Sequence, residues 1–314
     1  MILTRMPDLP PAPETAANAA FRRDFYARWG RENAVVCGTA TRAEYAAVTQ
    51  NLSIKSAWGG RELYFLPDRE VAVDDDSLLI LNDRLAYGSR LAGRRPVGSF
   101  AVFFRPGMLG EVLGARAQGL DETLERRETP ARELVFSQHL RPHDRRVTPR
   151  LRHLRDAVLA GERDEGWLEQ TLLGLLDAMA EAECGDASRV AGTTTARASA
   201  RQELVRRLRL AADFIASQHA QALTLDDMAA VACLSRYHFV RAFHRQFGCS
   251  PYTHLQRKRV AVARRLIERG DADRESIALR CGFGTRWSLQ RALARHGVPT
   301  AAAATAQDPH APPG

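Results

Sequence analysis

Lysine is almost missing from this chain of 314 residues: Lys55 and Lys258 are the only two, and arginine carries the positive charge. Cysteine is scarce as well. Cys37, Cys184, Cys233, Cys249 and Cys281 are odd in number and form no CxxC pair, which argues against a disulfide framework or a zinc knuckle and for reduced thiols. No stretch approaches the ~18 uninterrupted apolar residues of a membrane helix. The N-terminal MILTRMPDLPPAPETAANAAFRR is broken by prolines and has no apolar signal segment. The expected location is therefore the cytoplasm, with no membrane partner. Histidine does not occur before His139. A Walker glycine loop, a GxGxxG after a strand and a GxSxG elbow are absent too, so no enzyme, cofactor or metal site is expected.

What is present is unevenly distributed. The hydrophobic fraction of 45% fits a folded chain, long enough for two domains. The formal charge of +8 hides a contrast: residues 196–300 hold 19 Lys+Arg against 8 Asp+Glu, and the rest of the chain is slightly acidic. A basic C-terminal third beside a slightly acidic body points to a module that binds a polyanion.

From Ala34 to Phe104 the runs AVVCGTA, NLSIKSAW, RELYFLP, REVAVDD, SLLILN and SFAVFF are short, apolar and separated by turn formers. They predict a sandwich or small barrel. The period then changes. MLGEVLGARA, PRLRHLRDAVLAG and DEGWLEQTLLGLLDAMAEAE read as helices, and Leu168, Leu172, Leu175 and Met179 form a stripe along the last. Such a stripe fits packing against the β-rich region or a seam between two copies. The expected organisation is a flexible segment 1–33, a β-rich domain with a helical region at 34–184, a linker at 185–199, an all-α domain at 200–299 and a disordered tail at 300–314.

The all-α region reads as two helix-turn-helix units. In the first, Thr224 and Asp227 form a capping-box arrangement, Leu223 and Met228 a hydrophobic staple, and Ser235 caps a second helix. On that helix Phe239, Ala242, Phe243 and Phe247 share one face, and Tyr237, His238, Arg241, His244 and Arg245 the opposite arc. In the second unit Asp273 caps RESIALR and Gly282 supplies the turn. Leu289, Ala292 and Leu293 then point inward, and Trp287, Arg291 and Arg295 outward. An aromatic and two arginines recur at an offset of fifty residues. A helix fits the major groove, where arginine can donate two hydrogen bonds to one guanine.

These residues carry a family resemblance. The LA-type helix, S-x-x-x-F-x-R-x-F, G-x-S-P, R-x-x-x-A-x-x-L and I-A-x-x-x-G-F occur in order over about a hundred residues. The region resembles the DNA-binding domain of the AraC/XylS family of transcription regulators. The resemblance implies seven helices, with Arg236, Tyr237, Val240 and Arg241 as DNA contacts of the first recognition helix. It implies Thr285, Arg286, Trp287, Gln290 and Arg291 for the second; the wheel adds Arg245. The N-terminal strands are similar to the cupin-like regulatory domains found in this family. The resulting expectation is an α+β multidomain regulator of the activator kind. Its expected partners are double-stranded promoter DNA, RNA polymerase, a small-molecule effector and a second copy of itself.

Three departures stand out. Cys233 replaces the glycine usual in the first turn, Arg274 takes a normally apolar position, and the second unit is shortened before Val298-Pro299. Two other readings compete: an architectural protein that binds DNA without sequence preference, and a cupin-type enzyme fused to a DNA-binding domain. A metal-dependent cupin needs histidines converging inside the barrel, and here the first follows every expected strand. His139 and His143 stand four apart, but the intervening Pro142 predicts a loop.

Overall fold

β-Branched and aromatic runs become strands when alternate residues can be buried on the two faces of a sheet. The computed structural model describes residues 1–10, 12–121, 134–188, 195–270 and 272–296. The tail expected at 300–314 and the shortened end of the second unit after residue 296 lie outside the described residues. The chain divides into two units, Met1–Ser199 and Ala200–Gly314.

The first unit holds β1 (Ile2–Leu3), α1 (Ala16–Arg28), β2 (Ala34–Gln50), β3 (Ser53–Trp58), β4 (Arg61–Phe65), β5 (Glu70–Asp74), β6 (Ser77–Leu81) and β7 (Leu85–Phe103). It continues with α2 (Met108–Asp121), β8 (Leu140–Pro142), α3 (Val147–Leu159) and α4 (Glu165–Ser188). The strands form one sheet in the order β1-β2-β7-β3-β6-β8, with β4 joined to β7 and β5 to β4. The long β7 pairs with β4 near Gly88–Leu91 and with β3 over Gly98–Phe103. Along the same strand β2 runs antiparallel, with register shifts at Ala40/Arg42 and Tyr45/Val48. Such irregularities bend and twist a strand, so one β7 can serve two sets of partners. All six expected runs lie in strands. AVVCGTA and SFAVFF, however, extend to 17 and 19 residues. The β2 extension is largely exposed, and that of β7 mixes buried Tyr87 and Leu91 with exposed residues, so no apolar run announces them, and their mutual backbone ladder holds them.

Register decides what each face carries. Ile54 pairs with Ile80 and Val102, and Lys55 pairs with Leu79 and Ala101. The Ile54 row belongs to a core shared with Val35, Phe100, Leu154, Leu172, Leu175 and Met179. The Leu168–Met179 stripe is therefore buried, at 7% exposure or less, within its own chain. That removes the stripe as a seam between copies. Burying those four side chains against the sheet satisfies the hydrophobic drive that would otherwise favour a partner. The Lys55 row belongs to a second core of Tyr64, Val71, Val73, Leu79, Leu81 and Tyr87.

The segment 1–33, expected to be flexible, is built into this unit. Ile2 pairs with Val35 in parallel, and Thr15 caps α1. The buried Arg22 donates from Nε to the Asp8 carbonyl at 2.9 Å and from Nη2 to that of Ala12 at 2.8 Å. One guanidinium thus satisfies carbonyls of a proline-rich stretch that cannot form its own ladder. Of the expected linker 185–199, residues up to Ser188 continue α4 and those from Thr195 are helical, while 189–194 lie outside the described residues. His139 precedes the short β8 and His143 follows it, with His143 Nε2 2.9 Å from the Asp75 carbonyl oxygen. Among the described residues no group of three His, Cys, Asp or Glu is placed to hold a metal ion. No described helix is long and apolar enough to cross a membrane.

The second unit is helical, holding all but the first residues of α5 (Thr195–Ser217), then α6 (Leu225–Val231), α7 (Arg236–Phe247), α8 (Pro251–Glu268), α9 (Arg274–Arg280) and α10 (Arg286–Arg295). These are six helices among the described residues, one fewer than the resemblance implies. Two separate cores form. Leu208, Ile215, Met228, Phe239, Phe243 and Leu255 make the first; Val260, Ala263, Ile277, Leu289 and Leu293 are in the second. Helix α8 feeds both, through Leu255 at one end and Val260 and Ala263 further on. It is the rod that joins the two helix-turn-helix cores.

Candidate nucleic-acid interface

Each presenting helix starts at a side-chain cap, which fixes where its first turn points. Thr224 Oγ1 accepts the Asp227 N–H at 3.2 Å, and the Asp227 carboxylate accepts the Thr224 N–H at 2.8 Å. The Thr224 hydroxyl, donating to that carboxylate at 2.6 Å, and then the Thr224 N–H hold the exposed Asp227 carboxyl below its usual range. Ser235 accepts the His238 N–H to start α7. In the second unit Asp273 Oδ1 accepts N–H groups of Glu275 and Ser276, at 2.9 and 3.0 Å. Thr285 starts α10 through a capping box with Ser288.

Between α6 and α7 the chain turns at Cys233, whose φ is 51°. Its N–H donates to the Ala230 carbonyl at 2.9 Å, and that of Leu234 to Ala229 at 3.1 Å. The left-handed conformation is thus required, and a residue with a Cβ bears its cost. The Cys233 side chain is exposed, so it returns little packing. Cys233→Gly is expected to raise stability by about 1 kcal/mol. A urea midpoint at or below that of the parent chain would contradict the strain.

The inward and outward faces of α7 separate cleanly. Phe239 and Phe243 are fully buried, with ring centroids 5.3 Å apart, and Phe247 lies half-buried 4.4 Å from Phe243. Tyr237, Arg241 and Arg245 are exposed on the other side, Tyr237 at 64%. Arg241 donates from Nη1 to the Tyr237 hydroxyl at 2.6 Å, with its guanidinium 5.3 Å from that ring's centroid. The tyrosine therefore fixes the position of the guanidinium on the exposed face of α7. Arg236 is ion-paired with Asp226 on α6, and Val240 is half-buried.

On α10, Trp287 is 65% exposed, but its ring is paired with the neighbouring Arg286, 5.2 Å from its centroid. Arg291 and Arg295 are exposed and Gln290 is half-buried. Thr285 is the helix cap, so its oxygen already has a structural task. The fifty-residue correspondence holds for which residues face outward; it does not extend to the aromatic-arginine contact.

One residue that matters to this arrangement was not picked out in sequence. Arg259, on α8, is buried and donates from Nε to the His219 carbonyl and from Nη2 to that of Gln221, each at 2.7 Å. Burial lowers its pKa. It fastens the loop before α6 to the helix that carries α9 and α10. In sequence it is one of three consecutive basic residues in QRKR, and only the arginine of R-x-x-x-A-x-x-L marks its position.

Residues 228–298 match a family model described as a helix-turn-helix domain. The HTH-type transcriptional regulator Rv1931c of Mycobacterium tuberculosis is 35% identical over 71 residues, 23% of this chain and 27% of that protein. The probable transcriptional regulator LumQ of Photobacterium leiognathi is 30% identical over 79 residues, 25% of this chain and 32% of its own length. The matched region thus spans only about a quarter to a third of these curated relatives. Among solved structures, ToxT from Vibrio cholerae aligns over 83% of this chain and 93% of its own at 8% identity and a TM-score of 0.32. The DNA-binding domain of AdpA, solved with a target DNA, aligns over 31% and 88% at 28% identity and 0.30. TM-scores this low do not establish a shared fold with either. With the ordered sequence marks that resemble the AraC/XylS family, the family match and the regulator relatives make residues 228–298 a helix-turn-helix domain similar to those of HTH-type transcriptional regulators.

Proposed function

We propose that the chain is a sequence-specific, DNA-binding transcriptional activator in which α7 and α10 enter successive major-groove segments. The observation that carries this is the Tyr237–Arg241 pair: exposed, joined by a 2.6 Å hydrogen bond, and mounted on a helix whose other face is buried phenylalanine. In this reading Arg241 reads a base edge, while Arg236, Tyr237, Val240 and Arg245 set the helix against the groove and its phosphates. Thr285, Arg286, Trp287, Gln290 and Arg291 do the same for α10. Residues 34–184 form a cupin-like domain that senses a small molecule or pairs two copies, and RNA polymerase is the downstream partner. Pairing of copies uses faces of the 147–184 helices other than the buried stripe.

Arg241→Ala is expected to weaken binding to the preferred duplex by about 1–3 kcal/mol and to relax preference at one base position. Fluorescence-anisotropy titration against matched and singly substituted duplexes reads both. Equal affinity and equal preference in the variant would remove Arg241 as a base reader. The architectural reading predicts instead that binding falls steeply with salt and ignores competitor sequence.

A further inference from the structure

The β-rich unit contains a cavity of about 250 Å³ on the sheet face opposite the Ile54 row. Its wall is aromatic, with Phe25, Trp29, Tyr45, Tyr64, Tyr87 and Phe103, and Met6, Pro7, Leu9 and Pro10 complete one side. Into this setting the sheet register places Lys55, 1% exposed, and Glu62, 3% exposed. The Lys55 ammonium lies 3.4 Å from the centroid of the Phe103 ring and 5.2 Å from that of Tyr87. Glu62 Oε2 has no hydrogen-bond partner. Burial lowers the pKa of Lys55, and the charge of Glu62 acts in the opposite direction.

A buried lysine and a buried carboxylate with an orphan oxygen are costly features. For stability alone, apolar residues in both places are as good or better. Their chemistry specifies a guest instead. A lone anion would meet Glu62, and a lone cation would meet Lys55. An uncharged group with an acceptor for Lys55 and a donor for Glu62 would satisfy both. The aromatic walls select a flat apolar frame. Cavities of about 150 Å³ already hold benzene, so this one accommodates a single ring with a substituent.

We propose that this cavity is a ligand site for a small uncharged aromatic compound bearing a carboxamide-like donor and acceptor, held between Lys55 and Glu62. The proposal rests on reading residues 34–184 as a sensing domain, and it gives that domain a ligand class. Isothermal titration of the full chain with benzamide, benzoate and benzylamine tests it. Benzamide is expected to bind saturably, about tenfold more tightly than either charged analogue, and to lose about tenfold in Lys55→Met and in Glu62→Gln. Thermal melts confirm that each variant is folded; Glu62→Gln keeps shape and volume if Lys55→Met does not fold. No saturable binding of benzamide at millimolar concentration, tighter binding of benzoate, or unchanged binding in folded variants would each overturn the site. The titration involves no DNA, so its failure leaves the duplex-reading proposal standing, and failure of duplex selectivity leaves this one standing.

Discussion

Phe243→Ala should be among the most damaging single changes in the helical unit, lowering stability by about 3–5 kcal/mol. The side chain is fully buried and sits at the centre of an aromatic cluster. Phe239 lies 5.3 Å away, Phe247 4.4 Å and the His254 ring 5.5 Å, centroid to centroid. Truncation removes the ring's transfer free energy and leaves a cavity in a core to which α5, α6, α7 and α8 all contribute. Helix α7 is only twelve residues long, so without that anchor its own propensity cannot hold it. Loss of duplex binding should accompany loss of structure, which separates this variant from Arg241→Ala, where the fold stays and the reading goes. Urea unfolding followed by helical circular dichroism gives the size. A change under about 1 kcal/mol, typical of surface substitutions, would mean that Phe243 is not the anchor.

Gly282→Ala should cost about 2–5 kcal/mol, from two sources at one atom. The residue has φ of +78°, where any Cβ is strained by about 1–2 kcal/mol. A Cβ there would also lie 2.9 Å from each of three atoms: the Ala220 and His219 carbonyl oxygens and Arg259 Nη2. Arg259 Nη2 and the His219 carbonyl belong to the Arg259 clamp, and Ala220 lies between its two anchoring carbonyls, so these atoms cannot move aside without disturbing its hydrogen bonds. Gly248 is the internal control. Its φ is +69°, yet a Cβ would meet nothing within 4 Å, so Gly248→Ala should show the backbone cost of about 1 kcal/mol alone. Equal losses at the two positions, compared by urea midpoints, would show that the close approach at Gly282 contributes nothing.

The helical unit was legible because its signals are local. Thr224, Ser235 and Asp273 are polar residues placed just before apolar periods, and each is a cap. The Phe239/Phe243 spacing alone separates an inward from an outward face, and the misfit of Cys233 in a glycine position reappears as a positive φ. Long-range pairing was not legible. The extensions of β2 and β7 carry no apolar run, and only their 17- and 19-residue lengths in the ladder reveal them. The Leu168–Met179 stripe looks the same whether it faces a sheet or a second copy. Arg22 and Arg259 were hidden for a different reason: arginine is common in this chain, and nothing local separates a buried fork from a solvated one. Lys55 did leave a trace, as one of two lysines and the sole charge within SIKSAW. Its meaning needed the register that sets it beside Leu79 and Ala101.

The central claim is that this chain reads a DNA sequence through two helices held by one rod. Selection of the full chain from a random duplex pool, repeated with Arg241→Ala, tests it most directly. Two short determinants should be enriched, roughly one helical turn apart, and the variant should lose preference in one of them while keeping the other. Recovery of an unenriched pool, or the same motif from both proteins, would contradict it.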